Sequence, residues 1–468
     1  MIRHTLAACA AALVAAASAP IAAQAQSGQV TAAPASSANL RVGASRVDIT
    51  PSAAELPQNY TGVNDNIFAR AIVVANGSTK AAMITVDIGA MSTETWTNVV
   101  QRAEALGIPA AHLILTATHS HSVPRLSGSA FEDKIVQAIQ EADSRLQPAV
   151  MDFGSGVSYV NVNRNIIDPE NRRWWEGPNY EGVSDKTLAV VRFQTPDGKP
   201  IAVFYNYALH AVTNGQLDQV SGDVPGEASR YLEASLGGGA VAVWSNGAGG
   251  DQNPIYFNQT YELRDIRVAE YATRGEDISN SMPPGGVGLD RNDPRVALLM
   301  DQQRQLTRSY GQLLGEEVLH VARAGMERPG ASDGIYGAQK EVTCPGRRRT
   351  NTGRGGYAGE YVDADPINIR LSFLMVGDVA IGGVNGEVFN QIARRYKLES
   401  PLKHTIFSSL TNGTAGSGYI PNDSAYGQYT FEVLSSRLKP GCAESAIVDG
   451  LLDLMQDVEV VPPTAGRN

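Results

Sequence analysis

After residue 25 the sequence has no apolar run approaching the roughly 20 residues that a transmembrane helix requires, so no stable membrane span is expected in the rest of the chain. Basic residues are in deficit: 38 Lys plus Arg stand against 48 Asp plus Glu, a formal net charge of −10. Binding to a phosphate backbone relies on clustered Lys and Arg, so a nucleic-acid partner is not expected. Cysteine is scarce, with three residues in 468. That disfavours a closed structural zinc site, which usually draws on several cysteines. No internal repeat and no heptad pattern is legible.

The chain opens with Arg3, an alanine-rich apolar stretch over residues 6 to about 22, and the small-x-small triplet Ala23-Gln24-Ala25. This is the pattern of a secretory signal peptide, expected at residues 1–25, and it implies export to the periplasm or the medium. A retained anchor would need a more strongly apolar run. Residues 26–39 have almost no bulky apolar groups to offset their ordering entropy and read as a flexible leader. Residues 40–468 can bury a sizeable core as one hydrolase domain. Cleavage would remove Cys9, and the remaining pair, Cys344 and Cys442, is a disulfide candidate in an exported protein.

Short β-branched runs alternate with stretches of helical spacing. Residues 71–74, 81–86, 113–116, 188–193, 201–207, 240–244, 367–376 and 379–383 read as strands, and 92–106, 131–146, 224–235, 295–324 and 444–455 as helices. The order implies an α/β fold of mixed sheets flanked by helices. Residues 258–294 are polar and carry Met282-Pro283-Pro284-Gly285-Gly286, which reads as a long irregular segment, either a substrate loop or disorder.

Thr118-His119-Ser120-His121 follows a strand, and two histidines at i and i+2 on extended chain would point the same way, both toward one zinc. A merely His-rich surface loop would look the same. His210 lies just past strand 201–207, where open α/β sheets collect their sites, with a packed core histidine as the alternative. Glu387, where a strand gives way to a helix, is either a ligand or a first-turn capping acid. The glycine-dense run 245–254 would let backbone approach a ligand closely, or is a plain loop. Arg172-Arg173-Trp174-Trp175 and Arg347-Arg348-Arg349 carry cationic and aromatic groups on segments the core does not need, and arginine forks suit carboxylate or phosphate groups. Core packing competes for the tryptophans and solvated surface for the arginine triplet.

Together these pieces resemble the neutral, non-lysosomal ceramidase family. The matching segments are Val42-Gly43 through Asp48-Ile49-Thr50-Pro51, Ala69-Arg70-Ala71, Val86-Asp87-Ile88-Gly89, His119-Ser120-His121-Ser122, Asn163-Arg164, Ser221-Gly222-Asp223 with Gly226-Glu227-Ala228-Ser229, and Gly418-Tyr419. The resemblance implies that His119, His210, Glu387 and Tyr419 hold Zn2+, while His121 and Arg164 face the scissile carbonyl and stabilise its oxyanion. It implies a zinc-dependent amidase acting on a small N-acyl compound, lipid-like or anionic, through metal-activated water. An esterase or lactonase on the same site and an exported, non-catalytic binding protein are the alternatives.

Three departures qualify the resemblance. Where the family has a serine in Gly-Asp-x-Ser-Pro-Asn, this chain reads Gly250-Asp251-Gln252-Asn253-Pro254, so activated water is preferred to a covalent route. Asn253 is expected to hydrogen-bond the substrate amide, and Asp251 joins it as a catalytic candidate. A second family tyrosine is Phe431 here, with Tyr426 and Tyr429 nearby as possible substitutes. No C-terminal immunoglobulin-like module is expected, which loosens the link to ceramide itself.

Overall fold

The computed structural model describes residues 31–33, 40–214, 218–281, 288–328 and 334–456. The expected signal peptide, most of the expected leader and the run 282–286 lie outside them.

The alternation of β-branched runs and amphipathic helices produces three five-stranded sheets on one recurring plan. In the first, β1 (Leu40–Asp48), β2 (Phe68–Asn76) and β3 (Thr79–Val86) run antiparallel. Helix α1 (Thr93–Glu104) then carries the chain to β4 (Leu113–Ala117), parallel to β3, and α2 (Ser129–Ser144) returns over β1. A parallel pair needs such a crossover, whereas antiparallel strands close with a short turn. Ser92 starts α1 by accepting from the Thr95 amide at 3.0 Å.

The second sheet uses β5 (Val150–Val157) and, after a side sheet begun by β6 (Asn161–Asp168) and β7 (Arg173–Asn179), β8 (Thr187–Gln194) and β9 (Pro200–Tyr207). Helix α3 (Asp223–Leu236) leads to β10 (Val241–Asn246), parallel to β9. The short β11 (Gln252–Pro254) completes the side sheet against β6. Helices α4 (Asn258–Thr273) and α5 (Pro294–Ala324) follow, and α5 packs on α3 and β5. The third sheet repeats the order with β12 (Ile335–Arg349), β13 (Tyr361–Val376), β14 (Val379–Val384), α6 (Asn390–Glu399) and β15 (His404–Ser408), the last parallel to β14. The short α7 (Phe431–Ser435) precedes α8 (Ala443–Gln456), which packs on β12 and β13.

The mixed α/β fold is as expected, but the threefold recurrence left no legible trace in the sequence. Inner faces of all three sheets meet in one core that includes Val42, Ile72, Phe193, Phe204, Leu374 and Ile381. With helices over the outer faces, the central strands are buried on both sides, hence their near-continuous apolar runs.

Three expectations are corrected. Residues 258–294 are not irregular throughout, because 258–273 form α4; only Thr260, Leu263 and Arg267 of that helix are buried, so its apolar stripe is too thin to read. Thr31–Ala33, within the expected leader, pair antiparallel with residues 335–337 at a sheet edge. The Arg347-Arg348-Arg349 triplet lies at the end of β12 rather than in a loop. Cys344 and Cys442 are disulfide-bonded, with Cα atoms 5.8 Å apart, and join β12 to the approach to α8.

Candidate metal centre and active site

His119, His210 and Glu387 come from the ends of strands in three different sheets: after β4, β9 and β14. The chain does not stay extended through Thr118-His119-Ser120-His121. It turns at His119, whose φ of 63° is uncommon for a non-glycine residue. The two imidazoles therefore share a pocket through a turn, their rings edge-to-face at 4.7 Å. The His121 amide donates to the Ala211 carbonyl at 3.1 Å, splicing this turn to the loop that carries His210.

Two short contacts fix the tautomers. His119 Nδ1 lies 2.6 Å from the Gly89 carbonyl, and His210 Nδ1 lies 2.6 Å from the Gly249 carbonyl. A carbonyl only accepts, so each Nδ1 carries hydrogen and each Nε2 is left to face the pocket. The two Nε2 atoms are 3.1 Å apart, and Glu387 Oε2 lies 3.1 Å from one and 3.3 Å from the other. Tyr419 Oη is 3.5 Å from His210 Nε2, and His121 Nε2 is 3.3 Å from His119 Nε2.

Ligands at about 2.0–2.1 Å from a tetrahedral ion are separated by roughly 3.3 Å. The observed spacings match that edge. Two nitrogen lone pairs at 3.1 Å also repel unless a cation or a proton lies between them, so the residues fit a metal ion. His119, His121 and His210 form a metal-competent group, with donor atoms all within 4.8 Å of one another.

The glycine-dense turn after β10 makes this approach possible. A Cβ on Gly247 would stand 2.9 Å from the Ala208 nitrogen, and one on Gly250 would stand 2.7 Å from the Glu387 carbonyl oxygen. The turn is wedged between the His210 and Glu387 segments. Residues 387–388 pair in parallel with 419–420, which sets Glu387 beside Tyr419.

Burial opposes ionisation of Glu387, but His119 and His210 outweigh it and hold the carboxyl well below its usual range. Burial likewise opposes protonation of His119, yet the Glu387 carboxylate raises that imidazole above its ordinary value. Burial, then the Arg164 charge, pushes His210 down to about 4. Burial and then Glu387 drive the Tyr419 phenol well above its normal range. The outer edge of His121 is exposed, while its ring is desolvated by the pocket walls; this and the neighbouring imidazoles keep it well below the ordinary histidine value.

Arg164 reaches the pocket, but its guanidinium is already engaged. Nε pairs with Glu432 at 2.6 Å, one terminal nitrogen donates to Asn253 at 3.1 Å, and the other donates to the Gly250 carbonyl at 2.8 Å and to Tyr419 Oη at 3.2 Å. Asn253 is held on its other side by Glu176 at 3.1 Å, and Glu176 pairs with Arg354 at 2.5 Å. Asp251 is not brought to the histidines: its carboxylate accepts from Asn163 at 3.0 Å and from the Asn390 amide at 2.9 Å, joining β6 to α6. Phe431 stands edge-on to Tyr419, with Arg164 and Arg354 at 5.0 and 4.0 Å from its ring centroid. Tyr426 packs instead against Arg347, and the Tyr429 carbonyl accepts from Gly356.

Sequence reasoning missed Glu432, Glu176 and Arg354. Long-range ion pairs leave no spacing signal; only the Phe431 departure pointed at the neighbourhood of Glu432.

The fold and site thus define a three-sheet α/β protein with a buried, metal-competent cluster of histidines and a carboxylate. Residues 40–260 match the family described as neutral/alkaline non-lysosomal ceramidase, N-terminal. That match spans just under half of the chain and makes this part similar to the ceramidase family. Neutral ceramidase B of Dictyostelium discoideum is 27% identical over 272 residues, covering 50% of this chain and 38% of the relative. The neutral ceramidase of Pseudomonas aeruginosa is 27% identical over 275 residues, covering 50% and 41%. The chain therefore aligns with only about two fifths of the length of these relatives. Two solved structures share the fold. One described as a ceramidase complexed with C2 has a TM-score of 0.66 at 16% identity, and the neutral ceramidase of Pseudomonas aeruginosa has 0.63 at 17%. Each comparison covers 92% of this chain and 77% of the other.

Proposed function

We propose that the protein is an exported, zinc-dependent amidase that hydrolyses the amide bond of a small N-acyl compound. The observation that carries this reading is the convergence of two Nε2 atoms, each freed by a carbonyl-bound Nδ1, on the Glu387 carboxylate. The relatives named ceramidases make a lipid-like amide the first substrate class to test. Export rests on the sequence pattern of residues 1–25.

His119, His210 and Glu387 would hold the ion, with Tyr419 within reach as a fourth donor. Bound zinc supplies Lewis acidity and brings the pKa of a water toward neutrality. His121, neutral at the open side of the pocket, is placed to take at Nε2 the proton that the attacking water gives up and to pass that same proton to the departing nitrogen, which returns the ring to its neutral form. Arg164 acts through Tyr419, fixing its hydroxyl at the pocket rather than presenting a free fork to substrate. Asn253, held between Arg164 and Glu176, fastens that arginine rather than awaiting a substrate amide.

The test is metal analysis of purified enzyme together with rates on matched N-acyl amides and esters. About one zinc per chain, faster amide cleavage and loss of turnover in His119→Ala are expected. Activity without zinc, or retained in His119→Ala, would overturn the proposal; faster ester cleavage would favour the esterase reading.

A further inference from the structure

A cavity of about 520 Å3, distinct from the metal centre, has Arg173, Trp175, Arg264 and Tyr357 in its wall. Arg173 and Trp175 come from the Arg-Arg-Trp-Trp motif that the proposed hydrolytic machinery does not use. Its volume is in the range of small-molecule sites. A run of polar contacts that starts with one ion pair leads from the cavity wall to the metal pocket. Trp175 precedes Glu176 and Gly355 follows Arg354, and those two charged side chains bond to each other. On its other side, Glu176 holds Asn253, which holds Arg164, which reaches Tyr419.

Each arginine has an aromatic face against it. The Arg264 guanidinium carbon is 5.4 Å from the Trp175 ring centroid, and that of Arg173 is 4.3 Å from Tyr357. Stacking occupies the planar faces of the guanidinium and leaves its N–H edges free to donate. The Arg173 backbone pairs with Asp168 in the ladder, but its side chain makes no hydrogen bond or ion pair among the described residues. Arg264 donates to the Ser279 carbonyl through one terminal nitrogen, and the other is 3.8 Å from Asp265, beyond hydrogen-bond reach. The two acids in the wall are engaged in their own turns. Asp168 accepts from the Glu170 amide and Asn171, and Asp277 from the Ser279 amide.

The wall therefore has two cations with unused donors and two carboxylates committed elsewhere, with no net formal charge. Unused guanidinium donors call for an oxyanion. A neutral wall favours one negative charge over two, because a dianion would face two fixed carboxylates without a matching excess of cations. We infer that this cavity is a binding subsite for a monocarboxylate, recognised by the edges of Arg173 and Arg264 between the rings of Trp175 and Tyr357.

The inference does not depend on zinc and is tested by direct binding to the intact protein. Benzoate, benzamide and inorganic phosphate would be titrated by tryptophan fluorescence and calorimetry. Benzoate is expected to bind about tenfold more tightly than either competitor, and Arg173→Gln and Arg264→Gln each to weaken it about tenfold. His119→Ala is expected to leave benzoate binding unchanged, so failure of the subsite and failure of the metal reading are distinguishable. Arg173 is exposed, so its variant remains informative even where Arg264→Gln misfolds. Equal binding of benzoate and benzamide, tighter binding of phosphate, wild-type affinity in the arginine variants, or loss of benzoate binding in His119→Ala would each overturn the inference.

Discussion

Replacing His210 by alanine tests the proposed ligand set most directly. His210 is fully buried, and its ring links the Gly249 carbonyl to the pocket centre. Four-ligand structural zinc sites bind with apparent free energies of about 10–16 kcal/mol, so an even division assigns about 2.5–4 kcal/mol to one ligand. His210→Ala is therefore expected to weaken zinc roughly 10²–10³-fold. Folding stability should fall by a further ~1–3 kcal/mol, because the Gly249 carbonyl loses its donor. The backbone hydrogen bond from His210 to the Gln252 carbonyl, at 3.1 Å, does not involve the ring and keeps the loop in register. Competition against a chromophoric chelator measures the affinity, and thermal melts with and without EDTA measure the stability. His121→Ala serves as the contrast: turnover should collapse while zinc affinity changes only a few-fold. Wild-type zinc affinity in His210→Ala would refute the ligand assignment. Equal losses in both variants would move the assignment to the three-histidine set.

Gly250→Ala should cut zinc affinity and turnover without touching a ligand, since its Cβ would collide with the Glu387 carbonyl; a variant with wild-type kinetics would contradict that wedge. Arg70 is buried between Asp87 and Glu233, at 3.0 and 2.8 Å, and Arg70→Met should cost about 3–5 kcal/mol at neutral pH by leaving buried Asp87 without its cation and Glu233 with Arg46 alone. Burial, despite Arg70, already raises the Asp87 pKa, so the folded state binds that proton more tightly than the unfolded chain and stability falls as pH rises through the folded value. Without Arg70 the effect grows, and urea melts should show a smaller deficit at pH 4.5 than at pH 7.5. The Cys344–Cys442 bond spans 98 positions, and a loop near that length is worth about 2–5 kcal/mol; coincident melts of oxidised and reduced protein would contradict this.

Element type was largely legible, as α5 illustrates. Asp293 caps it by accepting from the amides of residues 295 and 296, Pro294 takes its first position, and an apolar face runs its length. All are local properties, and the apolar spacing is enough to place the helix. Helix α4 was not legible, because a nearly polar helix has the composition of a loop. The His-x-His motif was visible, but its geometry was not: extended chain and a turn through φ 63° are equally compatible with the letters. The resemblance supplied the residues that converge. It did not show that the Arg164 guanidinium is ion-paired with Glu432 and donates to Asn253, Gly250 and Tyr419, since those partners are scattered over the chain.

The sequence by itself determined where most strands and helices lie, which residues have metal-ligating chemistry and which pair of cysteines was available. Those properties depend on side-chain type and on periodicity over a few residues. Only the tertiary structure decided that three sheets repeat one plan, that His119, His210 and Glu387 meet across them, and that Asp251 and Asn253 serve as joints. The physical reason is that strand ends from separate sheets are brought together by a shared apolar core. The tautomers and ion pairs at the site then follow from which carbonyls and charges that packing places within reach.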